Sequence, residues 1–153
     1  MFEAELMAGQ RILVTGGGTG LGQAMAEQFL RLGADVAICG RRQSVCDKTA
    51  AIWRSRYPQR RVDTFSVDIR VAPAVEAMVE SLWTSGGLTG LVNNAAGNFI
   101  ATTESISPRA FDAIANIVFH GSFYVTQAIG KRWVAEAKSG AWQRGQPMRS
   151  VKC

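Results

Sequence analysis

Apolar and polar positions divide the first 94 residues into short apolar segments that alternate with longer amphipathic ones. The apolar segments are rich in β-branched residues, which is typical of buried strands. The amphipathic segments carry apolar residues at helical spacing, as at Leu21, Met25, Phe29 and Leu32 in the first of them. This pattern predicts strands over 11–15, 35–39, 62–66 and 90–94, and helices over 21–32, 43–57, 72–83 and 107–138.

Local signals support the helix limits. Gly33 stands where the first helix needs a C-cap, and Pro58 ends the second. Ser107 and Pro108 form an N-cap and first-turn pair at the start of the fourth helix. The segment 139–153 has no apolar run and contains two glycines and Pro147, so it is expected to form neither strand nor helix.

The alternation of strands and helices predicts an α/β fold with a doubly wound parallel sheet. The chain is expected to supply the N-terminal part of such a fold, with about four strands in an incomplete domain over 1–138 and an irregular basic tail over 139–153. Ligands of these sheets bind beyond the carboxyl ends of the strands. The loops that follow the four strands should therefore line one rim.

The first loop has the features of a phosphate cradle, because it lies between a buried strand and the start of a helix. Its glycines follow Thr15 in the spacing Gly16-x-x-x-Gly20-x-Gly22, which differs from the usual dinucleotide fingerprint. Bare backbone lets N–H groups approach a pyrophosphate, and the helix dipole favours the negative charge. The loop predicts nucleotide binding.

The second loop indicates which nucleotide is bound. A free ribose 2′-hydroxyl usually meets an acidic residue about 20 residues after the glycines. Here the chain reads Cys39-Gly40-Arg41-Arg42, with no carboxylate. Two guanidinium groups suit a 2′-phosphate, which favours NADP as the cofactor. The alternative is that Arg41 and Arg42 are solvated residues at the start of a helix.

The third and fourth loops add polar groups to the same rim. Asp68 ends a strand, where its carboxylate could accept from the adenine amino group or could cap the next helix. The fourth loop reads Asn-Asn-Ala-Ala-Gly-Asn-Phe over 93–99. Paired amides there could tie neighbouring strands together and leave backbone free for a ribose.

Taken together, these motifs resemble the short-chain dehydrogenase/reductase family. The chain is similar to the family in Thr-Gly-x-x-x-Gly-x-Gly over 15–22 and in the Asn-Asn-Ala motif that starts at Asn93. A finer resemblance, to the 2,4-dienoyl-CoA reductase branch, rests on the three consecutive glycines, on 93–99, on the Ser107-Pro108 pair and on 116–121. The resemblance covers roughly residues 11–140.

The resemblance implies a Rossmann-like fold, a nicotinamide cofactor and hydride transfer to an enoyl or dienoyl thioester or a related carbonyl substrate. It implies a catalytic role for Asn98, whose amide would hydrogen-bond the thioester carbonyl. The cofactor-binding residues that it implies are Gly16, Gly18, Thr19, Gly20, Leu21, Gly22, Arg41, Asp68, Asn94, Ala95 and Gly97. The substrate-contacting residues that it implies are Arg70, Phe99 and Ser107.

Two positions depart from the family pattern. Where most members have an asparagine in the long helix, this chain has Val118, which agrees with the reductase branch. The family's acid is a Tyr with a Lys four residues later, but the two tyrosines here, Tyr57 and Tyr124, are followed at that spacing by Arg61 and Ala128. The chain therefore resembles a truncated or frameshifted member after about residue 138. A second hypothesis is a catalytically inactive nucleotide-binding fragment.

Composition and charge bear on the remaining classes of function and on the location of the protein. A net charge of +5 leaves a basic nucleic-acid-binding module as a third and weakest hypothesis. One His and three Cys, without ligand spacing, predict no metal site. Three features favour a cytoplasmic location. The cysteines are expected to be buried free thiols, the N-terminus is acidic and has no signal pattern, and no apolar run has the length of a membrane helix. A fourth strand with no neighbour on one side would expose an apolar edge, so a marginally stable or oligomeric protein is expected.

Overall fold

The computed structural model describes residues 3, 5–97, 100–140 and 149–152, the last of these by backbone alone. Strands and helices alternate as the hydrophobic pattern predicts. The strands are β1 Arg11–Thr15, β2 Asp35–Gly40, β3 Val62–Ser66, β4 Gly90–Asn93 and β5 Arg149–Lys152. The helices are α1 Gly20–Arg31, α2 Gln43–Arg56, α3 Ala72–Thr84, α4 Pro108–Ala115 and α5 Ser122–Ser139, with a short 3₁₀ turn at Thr103–Ser105 and a π-helical segment at Asn116–Gly121.

All strand pairs are parallel, and the sheet order is β3-β2-β1-β4-β5. The predicted doubly wound α/β fold is thereby confirmed. Because β1 lies between β2 and β4, the strand order reverses there, and a crevice opens at the carboxyl ends of these strands. The functional loops are expected at that edge.

Two apolar clusters cover the two faces of the sheet. One joins β-strand residues such as Leu13 and Leu91 to α3 and α5, and the other joins residues such as Val14 and Ile38 to α1 and α2. Alternate residues of β1 and β4 thus enter opposite clusters, since successive side chains of a strand point to opposite faces. Both faces of the central strands are buried, which explains their uninterrupted apolar sequences.

The prediction for the apolar face of α1 is partly wrong. The helix packs on the sheet through Gly22, Ala26 and Leu30, whereas Leu21 is 78% exposed. The buried stripe is shifted by one position from the predicted one, because α1 lies so close to the loops after β1 and β4 that only a glycine fits at position 22. The helical spacing is confirmed, but the buried face is turned by one residue.

The prediction that no strand follows residue 138 is wrong at Arg149–Lys152. This segment pairs in parallel with β4, with Val92 opposite Val151. β4 therefore has neighbours on both sides, and the unpaired edge that the sequence predicted is covered. Strand pairing uses backbone groups, so a segment with little apolar character can still extend a sheet. The division of the chain at residue 138 stays a prediction.

Candidate nucleotide-binding site

A cleft of about 360 Å³ opens at the carboxyl end of the sheet. It is bordered by residues from the loops after β1, β2, β3 and β4, so the structure brings together the four loops that the strand order placed on one rim. Eight residues with a predicted role line it, namely Gly16, Gly18, Thr19, Arg41, Asp68, Arg70, Asn94 and Ala95.

The glycines after β1 let three segments approach one another closely. Gly16 has a left-handed φ of +67°, and a Cβ there would lie 3.0 Å from the Cα of Ala95. At Gly22 a Cβ would lie 2.4 Å from Asn94 Nδ2 and 2.6 Å from the carbonyl oxygen of Gly16. These gaps are below van der Waals contact, so the N-terminus of α1, the loop after β1 and the loop after β4 can meet only at bare backbone.

Helix α1 starts at this loop and directs its N-terminus to the cleft. Its N-cap is Thr19, whose side chain makes no capping hydrogen bond, and no acidic residue lies in its first turn. The first N–H groups of a helix have no partner within the helix, and the dipole adds positive potential there. The end of α1 is therefore suited to an anionic group.

Thr15 and Asn94 connect the first and fourth loops. The Thr15 hydroxyl oxygen accepts hydrogen bonds from the backbone N–H groups of Asn94 and Ala95, each at 3.0 Å. In return the Asn94 side-chain amide donates to the carbonyl oxygen of Thr15 at 2.9 Å. Of the amide pair at the end of β4, Asn94 thus ties β4 to β1 as predicted, whereas Asn93 donates to the hydroxyl of Thr126 in α5 at 2.9 Å. Thr15 was missing from the predicted site, although its place directly before the glycines marks it.

Two exposed arginines follow β2. Arg41 and Arg42 both border the cleft, next to Gly40, the last residue of the strand. Among the described residues that line the cleft, Asp68 is the one carboxylate, and it follows β3 rather than β2. The end of β2 therefore presents positive charge to a ligand.

Asp68 and Arg70 form an ion pair within the third loop. The carboxylate accepts from Arg70 Nε at 2.9 Å and from Nη2 at 2.6 Å, and it also accepts from the Arg70 backbone N–H at 3.0 Å. Hydrogen bonds from Arg70, and more weakly the charge of Arg41, lower the pKa of Asp68. The carboxylate is thus held ionised and oriented at the rim.

The alternative that Asp68 caps the next helix is wrong. Helix α3 has Val71 as its N-cap, and no side chain caps it by a hydrogen bond. The carboxylate of Asp68 is turned back onto Arg70 instead.

The π-helical segment 116–121 closes the far side of the cleft. Ile117 lines the cleft, and a Cβ on Gly97 would lie 2.5 Å from its Cδ1 atom. At the other end of the segment, a Cβ on Gly121 would lie 2.7 Å from Ile69 Cδ1. The segment is therefore wedged between the third and fourth loops. π-Helical turns frequently occur at functional sites.

Two buried thiols lie at the base of the cleft. Burial raises the pKa of Cys39 to about 12. Burial, with a smaller effect of the Asp47 charge, also raises the pKa of Cys46, and Arg42 opposes this shift. Both cysteines are free and buried, as the sequence predicted, and both stay protonated at neutral pH. A thiol is nucleophilic only as the thiolate, so these residues form walls of the cleft.

Other predicted residues lie outside the lining of the cleft. Gly20, Leu21, Gly22 and Gly97 do not border it, although Gly22 and Gly97 set the packing described above. Ser107 caps α4, where its hydroxyl oxygen accepts from the Ala110 N–H at 3.2 Å. Asn98 and Phe99 lie outside the described residues.

The sequence did not predict the apolar residues that line the cleft. They are Val45, Val67, Ile69 and Ile117. Val67 and Ile69 flank Asp68 and are buried, so in the sequence they resemble ordinary core residues at the end of a strand. Ligand sites commonly combine such apolar walls with a few polar groups.

Neither tyrosine reaches the cleft. The Tyr57 hydroxyl donates to Glu27 Oε1 at 3.2 Å on the side of the sheet covered by α1 and α2. Tyr124 packs against the opposite core cluster, with its ring near His120 and Phe123.

Within the described ranges, no group of three or more His, Cys, Asp or Glu residues is suited to a metal ion. The helices in that part of the chain are also too short or too polar to cross a membrane.

The sheet order defines an α/β protein of the doubly wound class, with the glycine loop and the basic rim at the carboxyl end of its sheet. A family model described as short chain dehydrogenase matches residues 10–141. The chain therefore belongs to the short-chain dehydrogenase family of oxidoreductases, whose cofactor is a nicotinamide nucleotide.

Relatives at the level of individual proteins include 2,4-dienoyl-CoA reductases. A probable 2,4-dienoyl-CoA reductase of Caenorhabditis elegans is 41% identical over 138 residues, which are 88% of this chain and 44% of that protein. A peroxisomal 2,4-dienoyl-CoA reductase of Arabidopsis thaliana is 37% identical over 128 residues, 83% of this chain and 42% of that protein. The chain thus spans less than half the length of these two relatives.

A solved structure shares the fold. The 3-ketoacyl-(acyl-carrier-protein) reductase of Brucella melitensis, complexed with NADH, superposes with a TM-score of 0.81 at 26% sequence identity. The match covers 95% of this chain and 57% of that one. The predicted resemblance to the family, and to its dienoyl-CoA reductase branch, is confirmed by these comparisons.

Proposed function

We propose that the chain binds NADP(H) in the cleft at the carboxyl end of the sheet. The observation that carries this proposal is the pair of arginines after β2, Arg41 and Arg42, in a loop that itself has no carboxylate; the one carboxylate among the described lining residues, Asp68, follows β3. A guanidinium group can grip a 2′-phosphate through two hydrogen bonds, whereas a 2′-hydroxyl is usually held by a carboxylate. The basic rim therefore favours NADP over NAD.

The other loops of the cleft would hold the rest of the nucleotide. The loop 16–22 would hold the pyrophosphate, because α1 begins there and the first N–H groups of a helix have no partner within the helix. Asp68 would accept from the adenine amino group through an oxygen whose orientation Arg70 fixes. The backbone of Asn94 and Ala95 would border the ribose, since the Asn94 side chain is already engaged with Thr15. Gly97 would act through its close packing on Ile117, which lines the cleft.

The reaction that we propose for this lineage is reduction of an enoyl or dienoyl-CoA thioester, or of a related carbonyl compound. The nicotinamide ring of the bound cofactor supplies the hydride. Asn98 would donate to the thioester carbonyl and polarise the conjugated system, and Arg70, Phe99 and Ser107 would contact the substrate. The names of the two relatives support this substrate class.

The chain by itself is proposed to hold the cofactor without transferring the hydride. Its two tyrosines lack a Lys four residues later, and neither borders the cleft. A Tyr–Lys pair lets the family exchange a proton near neutral pH, because the Lys lowers the pKa of the Tyr. No residue of this chain takes that role. Oxidation of NADPH by the chain, followed by absorbance, tests this proposal.

The remaining assignments concern location and partners. We propose a cytoplasmic protein that acts on small molecules rather than on nucleic acid or membranes, and that forms homo-oligomers at full length. Buried free thiols fit a reducing compartment. Imaging of a fluorescent fusion tests the location, and a peroxisomal signal would overturn it. Analytical ultracentrifugation of the full-length protein tests the oligomer.

Selectivity of nucleotide binding tests the proposed cofactor. The substitution Arg41→Ala should weaken the binding of NADPH by about tenfold to a hundredfold, which is the range for a lost charge-assisted hydrogen bond. It should leave the affinity for NADH unchanged. Dissociation constants from fluorescence titration measure both. Arg109→Ala, an exposed arginine of α4 that does not line the cleft, is the matched control and should change neither. Equal weakening of NADPH and NADH by Arg41→Ala would contradict the 2′-phosphate role.

A further inference from the structure

A buried threonine of α2 reaches across to the glycine loop. Thr49 is 5% exposed and lies on the face of α2 that packs on the sheet, together with Cys46, Ala50 and Trp53. A threonine inside a helix usually satisfies its hydroxyl on a carbonyl of its own helix. Here the hydroxyl donates instead to the carbonyl oxygen of Gly18, at 2.9 Å and 31 positions away in the sequence.

This hydrogen bond determines how one peptide group of the loop is turned. Gly18 lines the cleft, but Thr49 does not, so the Gly18 carbonyl points away from the cleft and into the protein. The peptide bond between Gly18 and Thr19 is trans. In a planar trans peptide the C=O and N–H groups point in opposite directions. The N–H of Thr19 is thereby turned away from the buried hydroxyl, on a residue that is exposed and lines the cleft.

The loop also rests directly on α2 at this point. A Cβ on Gly18 would lie 3.3 Å from both Val45 Cγ1 and Cys46 Sγ. The loop therefore cannot move closer to α2. The hydroxyl of Thr49 supplies the polar contact that fixes the plane of the Gly18–Thr19 peptide. Without that contact, the Gly18 carbonyl could rotate toward the cleft, where its partial negative charge would repel a phosphate.

We propose that Thr49 is a positioning residue for the anion-binding loop. It holds the Gly18 carbonyl inward so that the N–H of Thr19 faces the phosphate groups of the nucleotide. This inference rests on the proposed nucleotide-binding function and adds a residue of α2 to it. Thr49 touches neither the cleft nor the ligand, so its effect passes through the backbone of the loop.

Binding of adenosine 2′,5′-bisphosphate to three variants tests the inference. Thr49→Val keeps the shape but removes the hydroxyl, and should weaken binding by about tenfold. Thr49→Ser keeps the hydroxyl and should bind within about twofold of the original chain. Thr89→Val is the control, since the Thr89 hydroxyl bonds the backbone of Arg11 at the opposite end of β1, and it should lower stability without changing affinity.

The outcomes separate the two proposals. If the original chain binds but Thr49→Val binds equally well, or if Thr89→Val weakens binding as much, the positioning role is wrong and nucleotide binding stands. If the original chain does not bind the bisphosphate, the proposed function and the positioning role both fail.

A second measurement avoids the risk that Thr49→Val does not fold. In ¹H–¹⁵N spectra of the original chain, addition of the bisphosphate should shift the amide signal of Thr19 downfield, because its N–H acquires an anionic acceptor. A Thr19 signal that stays in place while other signals of the cleft shift would overturn the inference.

Discussion

Single residues of the cleft act mainly through backbone that they expose or constrain. Gly22 leaves room for the amide of Asn94, and Asn94 in turn holds the carbonyl oxygen of Thr15. The close backbone approach at the glycine loop could be predicted from the sequence, because glycines between a buried strand and a helix start leave room for it. The role of the two arginines stays a prediction. Thr15 could be found from its place directly before the glycines, whereas Thr49 could not, since a buried threonine in a helix fits the same space as a valine.

The contact at Gly22 gives a stability prediction. Gly22→Ala places a Cβ 2.4 Å from Asn94 Nδ2. We expect a loss of about 1–3 kcal/mol in the free energy of unfolding, the usual range for overpacking. Urea denaturation followed by circular dichroism measures it.

Gly130→Ala is the matched control for this substitution. Gly130 lies inside α5, and a Cβ there meets nothing within 4 Å. This variant should gain up to about 1 kcal/mol, because alanine is the better helix former. An unchanged Gly22→Ala variant would show that α1 can move away from the loop after β4 at little cost.

At the scale of elements, the sequence indicated the first four strands and their helices, and it failed at β5. Each predicted strand has a run of apolar residues that both faces of the sheet require. Segment 149–152 reads Arg-Ser-Val-Lys and has no such run. Its pairing with β4 depends on backbone hydrogen bonds at the edge of the sheet, and the side-chain pattern carries no signal for these. The π-helical turn at Asn116–Gly121 was not predicted either, because it too is defined by backbone hydrogen bonds and not by a side-chain pattern.

The role of β5 is tested by removal of its residues. A chain that ends at residue 148 should leave the outer side of β4 unpaired, because β5 is its neighbour there. We expect faster hydrogen exchange at Gly90–Asn93 and increased light scattering, since unpaired strand edges associate. Exchange at Val36–Ile38 in β2, which keeps both its neighbours, serves as the internal reference. Identical exchange of β4 in both chains would mean that β5 does not protect this strand.

At the scale of the whole molecule, the sheet order converts four separate loops into one site. The alternation of strands and helices predicted a doubly wound parallel sheet, and the observed order β3-β2-β1-β4-β5 places the loops after the first four strands at one edge. This edge carries the candidate nucleotide site, with positive charge at the end of β2 and buried, protonated thiols in its lining. We therefore propose that the chain holds a cofactor at this edge, while its tyrosines lie outside the cleft.

Separation of cofactor binding from hydride transfer is the central claim of this account. Its most direct test has two steps on one sample. The chain is titrated with NADPH to saturation and binding is followed by fluorescence. A 2,4-dienoyl-CoA thioester is then added, and absorbance at the NADPH band is recorded. We expect saturable binding of NADPH and no decrease of absorbance beyond that of a sample without protein. Failure to bind NADPH, or oxidation of NADPH at a steady rate after the thioester is added, would contradict the claim.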